Sequence, residues 1–294
     1  MTGGVVVVGS ANVDMVSGVD RIPGPGETVT ATSFAVHPGG KGLNQAVAAR
    51  RSGATTTFVG AVGDDDHGAL LLQVLAETGI PADRVRRTDQ QTGLALVTTD
   101  ILGENNIVVV PGANGVVTSL SDQDRAVVRA AAVLVCQLEI PMTAVADAIR
   151  TAADAGTTVV LNPSPVRDLP PEILSAVDVL VVNEHEAEQL QVDTLDIPAV
   201  VTTLGPWGAR LARRGVPSVQ IPARRTVAVD STGAGDTFVG VLAAEIAAGV
   251  DIEVAAQRAG VAGSLSVEIP GAVPSIPTRQ DIDDVLRTEM KSNL

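Results

Sequence analysis

Short runs rich in Val, Ile, Leu and Thr recur along most of the chain, separated by longer stretches in which Ala and Leu return at helical spacing. The short runs fall at residues 5–8, 56–59, 133–136, 158–161, 179–182, 200–203 and 210–213. A strand wet on one face alternates apolar with polar positions. Most of these runs do not alternate, which predicts strands covered on both faces. Helices are expected at 43–51, 68–78, 122–130, 142–155, 184–190, 234–248 and 252–265. Strands and helices taking turns predict an α/β fold, a doubly wound and mostly parallel sheet flanked by helices. The whole chain, residues 1–294, reads as one such domain.

Two stretches, 16–36 and 92–110, break the alternation with short extended segments and turn residues. Together they predict a small β-sheet forming a lid over the C-terminal edge of the main sheet, the edge at which open parallel sheets bind ligands. A small sheet with one bare apolar face is marginal alone, so it should cover a ligand, pair with another subunit, or both.

Composition narrows the partners. The 20 basic against 34 acidic side chains give a net charge of −14, which argues against nucleic acid or an anionic membrane surface. There is no Tyr, one Trp and three Phe, so the core must be aliphatic and stacking platforms for single strands are lacking. Cys136 is the sole cysteine and sits in an apolar run, which predicts an inert core residue, no intramolecular disulfide and a reducing compartment. No basic leader precedes the run at 5–8, and no apolar stretch reaches membrane-spanning length, so a cytoplasmic location is expected.

The most informative segment is Asp230-Ser-Thr-Gly-Ala-Gly-Asp-Thr-Phe-Val-Gly240. With 227–229 read as a strand end and 238–248 as a helix, its glycines fall at a strand-to-helix junction. Backbone N–H groups of residues 233–236 can there point at a ligand together and make an anion hole, since a helix N-terminus offers free donors and partial positive charge. Asp236 places a carboxylate inside that hole. A carboxylate there can take a proton while the hole holds developing charge, the layout of phosphoryl transfer. Taken alone, the segment also fits an ordinary Gly-rich turn with a capping Asp. It is not a P-loop, because no Lys-Ser/Thr follows.

A second cluster lies near the N-terminus. Asn12 and Asp14 are expected at the C-terminal end of the first strand, where short polar side chains suit hydroxyl recognition or, equally, the capping of a turn. Pro38-Gly-Gly-Lys-Gly-Leu-Asn-Gln45 is another glycine-rich helix start, and its N–H groups can cradle a phosphate or close over a polyol. Asp64, Asp65 and Asp66 are read as helix-capping residues rather than metal ligands. His37, His67 and His185 lack metal-ligand spacing, so zinc is not expected.

These two glycine-rich helix starts resemble the ribokinase family of sugar kinases, the PfkB-type carbohydrate kinases. The resemblance runs from Val5 to Pro277 and includes Pro25-Gly26-Glu27-Thr28-Val29, Gly63-Asp64-Asp65, Pro111-Gly112-Ala113-Asn114, Gln137-Leu138-Glu139, Leu161-Asn162-Pro163 and Asn183-Glu184-His185-Glu186. It implies an ATP-dependent kinase that phosphorylates D-ribose at the 5-hydroxyl to give ribose 5-phosphate. The alternatives are a family kinase acting on a nucleoside, deoxyribose or a keto-sugar acid, or, from another class, a non-catalytic sensor on the same fold.

The resemblance also implies roles. Asn12, Asp14, Gly40, Lys41, Asn44 and Glu139 would contact the sugar, Asp236 would be the catalytic base, and Gly233, Ala234 and Gly235 would be the anion hole for the transferring phosphoryl group. Asn183, Thr203, Gly205, Gly208 and Gly235 would bind ATP, with Glu186 associated with Mg²⁺. Asp230, Thr232, Ser266, Gly271 and Ser275 would hold a monovalent cation, K⁺, and the lid would join two copies in a homodimer. Two departures stand out. Only ten residues, 191–200, lie where the family carries an additional helix, so that helix should be absent. Gly260 stands where a polar residue often lies near adenine, and Trp207 sits between Gly205 and Gly208, where it either flanks the base or covers the sheet edge.

Overall fold

The computed structural model describes residues 4–292. Among these residues the strands are β1 (Val5–Val8), β2 (Asn12–Gly18), β3 (Ser33–Gly39), β4 (Thr56–Gly63), β5 (Val85–Thr88), β6 (Gly93–Thr99), β7 (Asn105–Val110), β8 (Val133–Cys136), β9 (Thr158–Leu161), β10 (Val179–Asn183), β11 (Ala199–Thr203), β12 (Ala209–Arg213) and β13 (Val216–Ile221). The helices are α1 (Lys41–Arg51), α2 (Asp66–Thr78), α3 (Asp122–Ala130), α4 (Met142–Ala155), α5 (Pro171–Leu174), α6 (Glu184–Leu190), α7 (Ala234–Ala247), α8 (Ile252–Ser266), α9 (Ala272–Ser275) and α10 (Arg279–Ser292).

Nine strands form the main sheet in the order β13-β12-β11-β10-β9-β8-β1-β4-β5. It is parallel from β11 to β5, and at the other edge β12 alone is reversed, pairing antiparallel with both β11 and β13. Within β1, Val5 and Val7 pack with α1, α7 and α8, while Val6 and Val8 pack on the other face with Leu134, Cys136 and α4. That two-sided burial is why the strand is four valines without alternation. Cys136 is fully buried, and burial pushes its thiol pKa up, as befits an inert core residue. Aromatics being few, aliphatic side chains such as Leu43, Leu134 and Ile149 hold the layers together, each worth roughly 1.5–3 kcal/mol on burial.

The chain leaves β1 at the middle of the sheet, passes to β4 and β5 on one side, and returns to β8 and its successors on the other. The strand order therefore reverses between β1 and β8, which opens a crevice at their C-terminal ends. Over this crevice lies a separate four-stranded sheet in the order β3-β2-β6-β7.

Three sequence expectations need correction. Asn12 and Asp14 lie on β2 of the small sheet rather than at the tip of β1, because the chain from Asn12 onward takes up new partners, β3 and β6, outside the main sheet. Residues 227–229 form no strand. Val227 and Val229 are exposed, and Val229 N–H donates to the Val267 carbonyl, so the run is extended but has no neighbouring strand. The edge strands β5 and β13 went unforeseen, since Val-Arg-Arg-Thr and the Pro-containing Val216–Ile221 carry the charge and Pro of loops, both tolerated at sheet edges. Between α6 and β11 the chain makes only a 3₁₀ turn at Val192–Thr194, so the additional helix is absent. Among the described residues no helix is long and apolar enough to cross a membrane.

Candidate active site

The site assembles where two glycine-rich helix starts meet the crevice. Gly233, with φ of 76°, turns the chain into α7, a conformation that costs an L residue roughly 1–2 kcal/mol. The crossing of α1 and α7 is closed by Gly240: a Cβ there would meet the Gln45 carbonyl oxygen at 2.4 Å and Ala48 Cβ at 2.5 Å. The two backbones touch at that point, and this delivers two amides of α1 to Asp236 of α7. Asn44 Nδ2 donates to Asp236 Oδ2 at 2.9 Å and Gln45 Nε2 to Asp236 Oδ1 at 2.8 Å. The carboxylate is buried.

Asp236 stands between two cavities. The larger, about 740 Å³, is lined by Asn12, Asp14, Gly40, Lys41, Asn44 and Glu139 together with Gly233 and Asp236. The structure thus gathers every residue that the sequence assigned to the sugar. Glu139, beyond β8, accepts from Ser10 Oγ at 2.5 Å and from the Lys41 backbone N–H at 3.1 Å. Asn12 Oδ1 accepts from Asn114 Nδ2 at 2.7 Å. Asn44 Oδ1 is buried with no partner, an acceptor suited to a hydroxyl.

Charge in this cavity is crowded. Burial, then the nearby Glu139 and Asp236, raise the Asp14 pKa from 3.8 to about 7, with Lys41 pulling the other way. Burial works against the Lys41 ammonium, but Asp236, Glu139, Glu186 and Asp14 outweigh it and hold its pKa above the usual value.

The smaller cavity, about 220 Å³, is lined by Asn183, Glu186, Thr203, Gly233 and Gly235 as well as Lys41 and Asp236. A Cβ on Gly235 would touch no protein atom and would stand in that cavity, so the bare backbone serves whatever enters. Asn183 and Glu186 form a capping box on α6: Asn183 Oδ1 accepts from Glu186 N–H at 2.8 Å, and Glu186 Oε2 accepts from Asn183 N–H at 2.9 Å. Glu186 therefore keeps one oxygen for a ligand. Gly205 and Gly208 lie on the turn after β11 and do not line this cavity. Trp207, on the same turn, is 75% exposed.

Beside α7, both oxygens of Asp230 accept backbone N–H groups, from Gly271 at 2.8 Å and Thr232 at 2.9 Å. Burial raises its pKa, but these hydrogen bonds win and hold it below the usual carboxylate value. Ser266 and Ser275 donate to the carbonyls of Gly263 and Ala272, which leaves their oxygens able to accept. Asp230, Thr232 and Gly271 border the larger cavity, whereas Ser266 and Ser275 do not. Among the described residues no three His, Cys, Asp or Glu gather to hold a metal ion. Asp65 caps α2 through Gly68 N–H, as its sequence position suggests.

Sequence reasoning passed over Ser10, Gln45, Asn114, Gln137 and Asn162, the buried polar groups that hold the site. Each lies inside a recognisable motif, so the motifs themselves were the available signal.

Comparison with known proteins places this geometry. Residues 3–279 match the pfkB family carbohydrate kinases. The chain is 37% identical to the ribokinase of Bacillus subtilis, over 96% of this chain and 99% of that one. It is also 37% identical to a bifunctional ribokinase/ribose-5-phosphate isomerase A of Fructilactobacillus sanfranciscensis, covering 97% of this chain and 56% of that longer protein. The structure of Arabidopsis thaliana ribokinase complexed with ribose and ATP superimposes with a TM-score of 0.90 at 33% identity, over 97% of this chain and 99% of that one. The protein belongs to the pfkB family of carbohydrate kinases.

Proposed function

We propose that this protein transfers the γ-phosphoryl group of ATP to the 5-hydroxyl of D-ribose. The observation that carries this reading is the place of Asp236: one buried carboxylate bordering both a polar cavity fit for a polyol and a glycine-lined cavity at a helix N-terminus. Asn12, Asp14, Gly40, Lys41, Asn44 and Glu139 would take the sugar hydroxyls, with Asp14 and Glu139 accepting and Lys41 donating. Asp236 would accept the proton of the attacking hydroxyl. The N–H groups of Gly233 and Gly235, with the Lys41 ammonium, would hold the charge on the transferring group, joined by Ala234 N–H once it leaves the Ser231 carbonyl to which it donates at 3.2 Å. Such preorganised donors are typically worth about 10²–10³ in rate each. Asn183, Thr203, Gly205, Gly208 and Gly235 would face ATP.

When bound with ATP, Mg²⁺ would supply charge neutralisation on the phosphates. With one free carboxylate oxygen on offer, Glu186 fits that ion through its water shell rather than as a direct chelator. Asp230, Thr232, Ser266, Gly271 and Ser275 would surround a monovalent cation beside the anion hole.

The small sheet of β2, β3, β6 and β7, which the lid segments read at 16–36 and 92–110 only partly overlap, would act as the lid, excluding water that competes with the sugar as acceptor. Its face away from the cavity carries exposed Phe34, Val36, Leu96 and Val108, which supports a homodimer joined through the lid. The lone, buried Cys136 supports a reducing, cytoplasmic location.

ADP release with Mg²⁺ and K⁺ against ribose, deoxyribose, fructose, adenosine, pseudouridine and 2-keto-3-deoxygluconate tests the assignment. Ribose is expected to give the highest kcat/KM by a wide margin. A nucleoside or sugar acid in first place overturns the substrate.

A further inference from the structure

Behind Asp236 runs a chain of buried amides that touches neither cavity at its two glutamines. Gln137 Nε2 donates to Gln45 Oε1 at 2.6 Å. Gln45 Nε2 donates to Asp236 Oδ1 at 2.8 Å and also to Asn162 Oδ1 at 3.2 Å. Asn162 Nδ2 donates in turn to the backbone carbonyl of Val181 at 2.9 Å. Gln45 and Gln137 are fully buried, and Asn162 nearly so. The chain thus ties the ends of β8 and β9 and the middle of β10 to the N-terminal parts of α1 and α7.

Its direction is dictated rather than arbitrary. A peptide carbonyl can only accept, so Asn162 must turn its nitrogen to Val181 and its oxygen to Gln45. Gln45 must then present its nitrogen to that oxygen and to Asp236, and its own oxygen to Gln137. The far end bears the consequence: Gln137 Oε1 is left buried without a partner. An unpaired buried oxygen is tolerated where the rest of a network is held for another reason.

We infer that Gln45 is a positioning residue for phosphoryl transfer, locking Oδ1 of Asp236 so that Oδ2 faces the sugar hydroxyl, and that Gln137 acts through Gln45. This rests on the kinase reading above. It concerns the base and not the sugar, since neither glutamine lines a cavity.

The test is a double-variant cycle with Gln45→Met, Gln137→Met and both together, reading kcat, KM and calorimetric sugar affinity. Displacing a reacting group by about 1 Å can cost about 10²-fold, so Gln45→Met should lower kcat by about 10–100-fold with sugar Kd within about threefold. Gln137→Met should lower kcat by about 3–10-fold. The double variant should be no slower than Gln45→Met, because one residue works through the other. A kcat for Gln45→Met within twofold of the parent, losses that multiply in the double variant, or a loss carried by sugar affinity each overturns the proposal. If Gln45→Met does not fold, Gln137→Met decides alone, and an unchanged kcat overturns it. The parent protein separates the two readings. If it prefers another acceptor, the ribose assignment falls and the relay is measured on that acceptor. If it transfers no phosphoryl group at all, both fall.

Discussion

At the scale of single residues, the larger cavity buries Asp14 and crowds it against the carboxylates of Glu139 and Asp236. Free Asp titrates near 3.8, whereas Asp14 in the folded protein titrates near 7. Between those values the folded state keeps a proton that the unfolded chain has already lost. Stability therefore falls as pH rises through this window, and the penalty is complete above about 7. Asp14→Asn removes the penalty: its melting temperature should exceed the parent's at pH 8, and the gap should close as pH falls toward 4. The same change should weaken ribose affinity by about 10–100-fold, the cost of a hydrogen bond to a charged group. In the parent, sugar affinity should weaken below about pH 7 as the carboxyl takes up its proton. A melting gap that stays constant from pH 5 to 8 would show that Asp14 is not crowded by Glu139 and Asp236.

At the scale of elements, the site is a product of one helix crossing. Gly240 allows α1 and α7 to touch, and without that approach Asn44 and Gln45 do not reach Asp236. Gly240→Ala should cost about 1–3 kcal/mol in urea unfolding, as overpacking does, and should lower kcat out of proportion. Gly260 on α8 is the control. A Cβ there meets nothing within 4 Å, so Gly260→Ala should gain about 0.5–1 kcal/mol and, at saturating ATP, leave kcat alone whatever it does to the KM for ATP at this adenine-side position. Equal effects of the two substitutions on kcat would sink the argument.

This crossing also explains what could be read from the sequence. Local signals gave the buried strands, the helix start at Gly233 and Gly235, and Asp236 in its first turn, because chain direction and glycine spacing carry that information. Whether Gln45 faces a base or fills a core depends on how two helices meet, and no local pattern encodes it. Asn12 and Asp14 were legible as polar residues at the ligand-binding edge, and they line the larger cavity, but their strand was not legible, since β2 pairs with β3 and β6 rather than with its neighbours in the main sheet. At 227–229 the same logic runs in reverse: β-branched residues favour extension, but a strand also needs a partner.

At the scale of the whole molecule, the small sheet has two faces and one is unaccounted for. Asp14, Val16, Ala95 and Val97 look into the larger cavity. The alternate positions, Met15 paired with Val36 and with Leu96, and Leu96 paired with Val108, face away from it. Phe34 is 63% exposed there and Val108 61%. A second copy covering this face must bring together two chains of net charge −14, so the apolar contact has to outweigh a repulsion that salt screens. Association should therefore tighten between about 0.05 and 0.5 M salt, over which the Debye length shrinks several-fold. Leu96→Asp should give monomers in sedimentation velocity, with a melting temperature close to the parent's because the side chain is already half in water. Since β2 carries Asp14 on its other face, the monomer should also show a raised KM for ribose at nearly unchanged kcat. A parent protein that sediments as a monomer at all salt concentrations would refute the dimer, and an unchanged KM in a monomeric Leu96→Asp would confine the second copy to a structural role.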